Sequence, residues 1–189
     1  MIFFTSDLHF GHAGIIKLCN RPFESIEQMN ETLISNWNKK VKKNDTVYII
    51  GDFAWKKSDA EQIIGKLSGQ KILIIGNHDT WISDENIKSQ FLKVVKYEEV
   101  SLFEHQLTMC HYPMLEWKNS RKEGTSRLGY LIFGHIHNNI EPLYSVLFKM
   151  PNALNAGIDV NNYEPVTFDE LVKNNEQFSK MALEKLEEN

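Results

Sequence analysis

The chain reads as a layered α/β protein with two sheets packed face to face and helices outside. Three observations predict this. Apolar runs of strand length alternate with stretches whose apolar residues recur at helical spacing. Capping patterns open several of the helical stretches. No linker, repeat or low-complexity tract interrupts the 189 residues.

The elements follow in order. Residues 2–6 predict a strand, and residues 13–19 a short helix stopped by Asn20-Arg21-Pro22. A longer helix is expected from Ser25 to Lys42, where Ile26, Met29, Leu33, Trp37 and Val41 share one face. Ser25 with Gln28 forms a capping-box pattern. Strand 46–50, helix 59–67 and strand 71–75 come next, with Ser58 and Glu61 as a second capping box. Residues 93–96, 99–104 and 106–111 predict successive hairpin-linked antiparallel strands. Strands near 130–134, 143–148 and 153–156 complete the second sheet. Thr167 with Glu170 opens a C-terminal helix with Phe168, Leu171, Val172, Phe178 and Leu183 at its apolar positions.

This length fits one domain, residues 1–189, with enough chain to bury a sizeable core. A formal net charge of −4 gives no global attraction to nucleic acid or anionic membranes, so any affinity for phosphate must be local. Cys19 and Cys110 have no CxxC partner and make no disulfide framework, so a reducing cytoplasm is expected. The N-terminus reaches Asp7 too early for a signal peptide, and no apolar run has the length of a membrane span.

The chemistry lies in five clusters, each following a strand-like run. They are Asp7-Leu8-His9, Gly51-Asp52, Gly76-Asn77-His78-Asp79, Cys110-His111 and Gly134-His135-Ile136-His137. Five of the seven histidines lie in them, and His12 follows the first. Strand ends carrying Asp, Asn and His predict one composite site at one sheet edge. Asp52 has two carboxylate oxygens and can bridge two cations, Asn77 offers a carbonyl oxygen, and the histidines offer imidazole nitrogens. This mixture suits two divalent transition-metal ions, Mn first among Fe, Zn, Ni and Co, better than Mg or Ca. His78 is placed to protonate a leaving oxygen, with Asp79 to orient its ring.

The order DxH, GD, GNHD, H, GHxH resembles the calcineurin-like metallophosphoesterase superfamily across residues 7–137. The resemblance implies a four-layer α/β/β/α sandwich of two mixed sheets flanked by helices, with a dinuclear site. It implies that Asp7, His9, Asp52 and His137 hold one metal, and that Asp52, Asn77, His111 and His135 hold the other. His78 would lie near the leaving group, supported by Asp79. The protein-phosphatase branch follows GD with a valine-aspartate-arginine-glycine run and has GNHE as its third motif. Here Gly51-Asp52 precedes Phe53-Ala54-Trp55-Lys56, and the third motif ends in Asp79. That departure counts against a phosphoprotein phosphatase. Phe10-Gly11-His12, Arg21-Pro22-Phe23 and Asn155-Ala156-Gly157-Ile158-Asp159-Val160 resemble small bacterial and phage phosphoesterases.

The expected activity is metal-dependent phosphoester hydrolysis by a metal-bridging hydroxide, on a diester in preference to a monoester. Its partner would be a phosphoester substrate such as a nucleotide or short nucleic acid, with no membrane and no obligate protein partner. Two other readings are a nuclease, which needs a basic groove, and a non-catalytic protein-binding scaffold, which the full ligand set opposes. For substrate contact, His12, Arg121 and Arg127 are the candidates, together with Lys118 and Lys122 in the polar stretch between His111 and His135. Trp117 is placed to stack on a base, and Arg21 either reaches the pocket or forms a surface salt bridge. His105 has no partner in the pattern and is expected to be structural.

Overall fold

The computed structural model describes residues 1–102, 104–122, 124 and 128–188. Two four-stranded sheets form its centre. The first holds β1 (Ile2–Thr5), β2 (Thr46–Ile49), β3 (Gln70–Ile74) and β4 (Lys93–Val95), in that order and all parallel. An antiparallel bridge joins Phe4 to Val166. The second holds β5 (Tyr97–Leu102), β6 (His105–Cys110), β7 (Gly129–Phe133) and β8 (Ala153–Asn155). It is mixed: β5–β6 is an antiparallel hairpin, whereas β6–β7 and β7–β8 are parallel.

Alternation along the strands makes the layers, because successive side chains point to opposite faces. Phe3, Val47, Ile49 and Leu73 face outward from the first sheet, onto α1 (Ala13–Leu18), α2 (Ile26–Lys40) and α3 (Lys57–Ile63). Phe4, Tyr48, Ile50, Ile72 and Ile74 face inward, against Leu107, Met109, Ile132 and Leu154 of the second sheet. On the far side, Leu131, Phe133 and Ala153 pack with residues of α5 (Ser145–Phe148) and α6 (Phe168–Glu187). A short helix, α4 (Glu85–Lys88), follows a 3₁₀ turn at Asp79–Ser83. The architecture is therefore the expected α/β/β/α sandwich. Among the described residues, no helix is long and apolar enough to cross a membrane.

Several local expectations need correction. β4 is not part of an antiparallel run; it pairs parallel with β3 in the first sheet, and the antiparallel hairpin begins only at Tyr97. Residues 143–148 are helical rather than a strand. Pro142 starts a 3₁₀ turn at Pro142–Tyr144 that runs into α5, which buries Leu147 and Phe148. Such adjacent burial fits a helix face and breaks strand alternation. Helix α3 starts at Lys57, and Asp59 rather than Glu61 returns to its start, accepting from the Lys56 N–H at 3.2 Å. Ser25 accepts from the Gln28 N–H, but the Gln28 side chain accepts from Glu24. The Thr167–Glu170 capping box forms in full.

Candidate metal centre

The carboxyl ends of β1, β2 and β3 meet those of β6, β7 and β8 at one edge of the sandwich. Asp7 N–H donates to Gly51 O, Gly134 N–H to His111 O and Ile158 N–H to Ser6 O, so the loops of both sheets are laced together. Asp7, His9, Asp52, His135 and His137 all have left-handed backbone, with φ between 50° and 72°. That conformation is uncommon outside glycine and collects at functional sites. At Gly51, with φ of 89°, an added Cβ would lie 2.3 Å from His111 Nδ1; at Gly134 it would lie 2.5 Å from Asp7 Oδ2. Both glycines leave the space that the polar side chains occupy.

All seven candidate ligands converge here. Asp7, His9, Asp52 and His111 are each at most 2% exposed. His9 Nε2 and His111 Nε2 lie 3.5 and 3.4 Å from Asp52 Oδ2. Asn77 Oδ1 lies 3.1 Å from both His111 Nε2 and His135 Nδ1. His137 Nε2 lies 3.9 Å from Asp7 Oδ1. Asp7, His9 and His137 form one compact donor group, and Asp7, Asp52 and His111 another.

The hydrogen bonding tests whether these residues fit metal ions. His111 Nδ1 lies 2.8 Å from the Ile50 carbonyl, which can only accept. That nitrogen therefore carries the proton, and Nε2 faces Asp52 and Asn77. His137 Nδ1 lies 2.9 Å from Asp159 Oδ2, which sets the same tautomer. Both nitrogens of the buried His9 have no hydrogen-bond partner. A buried imidazole lone pair without a donor is costly unless a cation joins it, so His9 fits a metal-binding role, and the fixed His111 and His137 rings turn Nε2 towards the same point.

The electrostatics agree. Burial drives the His9 imidazole down to about 2, leaving it neutral. Burial also opposes charge on His111 and His137. Nevertheless Asp52 and Asp7 push His111 up to about 9, and Asp159 with Cys19 and Asp7 pushes His137 up to about 10. Burial raises Asp52, but bonding to His111 outweighs it and holds the carboxyl at about 2. Without metal, both histidines are protonated at pH 7. A cation must displace those protons, so affinity rises with pH until about 9–10. Calorimetric Mn titration at pH 7, in buffers of different ionisation enthalpy, should show release of about two protons.

Two features emerge only in the structure: of the two alternatives for Arg21 the inward one holds, with Asp159 as its partner, and Tyr112 adjoins the site. Arg21 is buried and forks onto Asp159 at 2.8 and 2.9 Å, while its Nη2 also donates to Asp7 O at 2.8 Å. It is thus no surface ion pair; it fixes Asp159, which fixes the His137 ring. The available signal was Asp159 just beyond an apolar run, in the same position as the five clusters. Asp159→Asn should weaken metal binding about 10- to 100-fold with the fold intact, as read by metal titration and circular dichroism. The second feature is Tyr112, about half exposed, whose ring lies 4.6 Å from that of His135.

Asp79 does not orient His78 by the contacts found. Its carboxylate accepts from the N–H groups of Asp52, Phe53 and Gly76, each at 2.9 Å, and so ties the second cluster to the third. Asp79→Ala would orphan these buried donors. It should cost about 3 kcal/mol, lowering Tm by about 6–12 °C in thermal unfolding.

His78 donates its backbone N–H to Asp52 Oδ1 at 2.9 Å, and its ring lies 5.2 Å from that of His9. His12 lies beside it, stacked on Trp55 with ring centroids 3.8 Å apart. A cleft of about 570 Å³ opens here and is lined by His9, His12, His78, His135 and His137 among others. Arg121 is well exposed and pairs with Glu116 at 2.9 Å, and Lys118 pairs with Glu99 at 3.1 Å. Lys122, a further basic candidate, is exposed. Trp117 has no free face for a base: it is buried in the core and donates to Gly129 O at 2.9 Å. Arg127 lies outside the described residues. His105 packs against Tyr130 and Phe168, in keeping with a structural role.

A parallel sheet stacked on a mixed sheet, with Asp, Asn and His collected at one edge, defines a candidate metal-binding α/β protein. By match to the family model over residues 1–150, the chain belongs to the calcineurin-like phosphoesterase superfamily. The superfamily is one of phosphoesterases and generally uses divalent metals. The chain is 34% identical over 175 residues to an uncharacterised protein of Methanocaldococcus jannaschii, covering 91% of this chain and 89% of that one. It is 39% identical over 80 residues to the Gene 66 protein of Mycobacterium phage L5, covering 40% of this chain and 38% of that one. The crystal structure of a protein of unknown function from Aquifex aeolicus superposes with a TM-score of 0.70 at 29% identity, covering 92% and 98% of the two chains.

Proposed function

We propose that this protein is a metal-dependent phosphodiester hydrolase with two divalent metal ions sharing Asp52. The observation that carries the reading is the convergence of buried His9, Asp52 and His111 with Asn77 on one point, with both ring nitrogens of His9 lacking any hydrogen-bond partner. Asp7, His9, Asp52 and His137 would hold one ion, and Asp52, Asn77, His111 and His135 the other. Mn is the leading choice, and Fe, Zn, Ni and Co also suit these donors. Bound there, divalent ions would supply positive charge to the phosphoryl group and lower the pKa of water towards neutrality.

The side chains do the rest. The Ile50 carbonyl and Asp159 hold His111 and His137 with Nε2 presented to the site. Asp52, kept ionised, supplies negative charge between the donor groups. His78 stands at the cleft beside His9 and gives a proton to the leaving oxygen. Preference for a diester is supported by the residues after Gly51-Asp52. There Trp55 stacks on His12, and the run Phe53-Ala54-Trp55-Lys56 holds no arginine to take a second phosphoryl charge.

Metal-stripped protein, reloaded separately with Mn, Fe, Zn, Ni, Co and Mg, should be assayed on bis(4-nitrophenyl) phosphate and 4-nitrophenyl phosphate. Faster, chelator-sensitive turnover of the diester is expected. Absence of turnover with every metal would overturn the hydrolase reading, and a faster monoester would overturn the diester preference.

A further inference from the structure

We propose that the cleft beside the metal centre takes the uncharged, largely apolar organic group of a small phosphodiester, and is not a track for a nucleic-acid polymer. This rests on the hydrolase reading above and adds the substrate class. The cleft runs from the ligand histidines between α1 and the segment after His137. Ile15 and Leu18 of α1 line it, together with Ile140 and Tyr144. Asn20 and Asn138 supply neutral amides at its side, and no Lys, Arg, Asp or Glu lines it among the described residues. Polymeric nucleic acid is held mainly by cations along its phosphates, and a wall without them forgoes that term. The volume, about 570 Å³, matches a small-molecule site.

The buried cation that follows α1, Arg21, is committed to Asp159 and to the Leu8 and Asp7 carbonyls. Leu18 is 75% exposed at the rim, where its side chain is open to contact by an organic group in the cleft. Continuity with the ligand histidines puts the organic group within reach when phosphorus lies at the metals. The occupant is therefore an aryl or nucleoside-sized group carried on a single phosphodiester charge.

The test uses Mn-loaded protein and 4-nitrophenyl esters that differ only in the second substituent, methyl or phenyl. Covering roughly half of a phenyl ring should favour the phenyl ester about 10- to 50-fold, mostly through KM. Leu18→Asp, at an exposed position that should not disturb folding, should bring this ratio towards one. Calorimetric binding of phenylphosphonate against methylphosphonate gives the same comparison without turnover. Tighter phenylphosphonate binding without ester hydrolysis would support the cleft assignment and refute the hydrolase reading. Hydrolysis of both esters at equal KM would do the reverse. Efficient cleavage of an oligonucleotide that falls steeply with added salt would overturn the proposal in favour of a polymer, as would failure of both phosphonates to bind.

Discussion

Replacing His78 with alanine should lower kcat on an alkyl phosphodiester about 10²- to 10³-fold, while metal content stays at two ions per chain. The separation of effects comes from how His78 is held. Its link to Asp52 is through the backbone N–H, at 2.9 Å, and alanine keeps that bond. Its ring lies among His9, His12 and Trp55 at the cleft, where it can serve the leaving oxygen. A poor leaving group such as an alkoxide needs the proton, whereas 4-nitrophenoxide leaves readily without it. The loss should therefore shrink to about tenfold or less for the 4-nitrophenyl ester. Equal losses on both esters would deny His78 its role as proton donor. Loss of metal in the variant would make it a ligand instead.

Asp52→Asn should have the larger effect: a fall in activity of more than about 10³-fold and loss of at least one ion per chain. Asp52 Oδ2 lies within 3.5 Å of both His9 Nε2 and His111 Nε2, the point where the two donor groups meet. An amide there keeps the shape and can still accept from the His78 N–H through Oδ1. What it lacks is the charge that offsets two cations in a buried site. Metal analysis by mass spectrometry and assays on bis(4-nitrophenyl) phosphate read the two effects. Near-normal activity with two bound ions would show that the centre does not depend on Asp52 as a shared ligand.

Much of the architecture was legible because the chain writes it locally. Ile49-Ile50 and Leu73-Ile74 are buried on both faces, so they stand out as apolar runs that stop at their ligand clusters. The period of Met29, Leu33 and Trp37 likewise marks α2 and its buried face. Lys93-Val94-Val95 is too short and too exposed to reveal that it joins the first sheet. Tyr144 to Phe148 is as rich in β-formers as a strand, and only contact with α6 and the Pro142 start make it helical.

The candidate ligands were legible for a similar reason: each sits directly after a strand. Their supports were not. Arg21 and Asp159 are 138 residues apart, and only the fold brings them together behind His137. Asp79 adjoins His78 in sequence, which suggests that it orients that ring, but its partners are the N–H groups of Asp52, Phe53 and Gly76. The polar and basic residues after Trp117 suggest a stacking platform, yet its indole N–H reaches Gly129 O in the core. Side chains that support a site through distant backbone leave little local pattern.

The proposed activity depends on a pair of ions joined through Asp52. Electron paramagnetic resonance of protein loaded with two equivalents of Mn(II) tests it most directly. An exchange-coupled multiline spectrum from an ion pair about 3.5–4 Å apart is expected, and it should collapse in Asp52→Asn. A six-line spectrum of isolated Mn(II) at full loading, unchanged by that substitution, would contradict it.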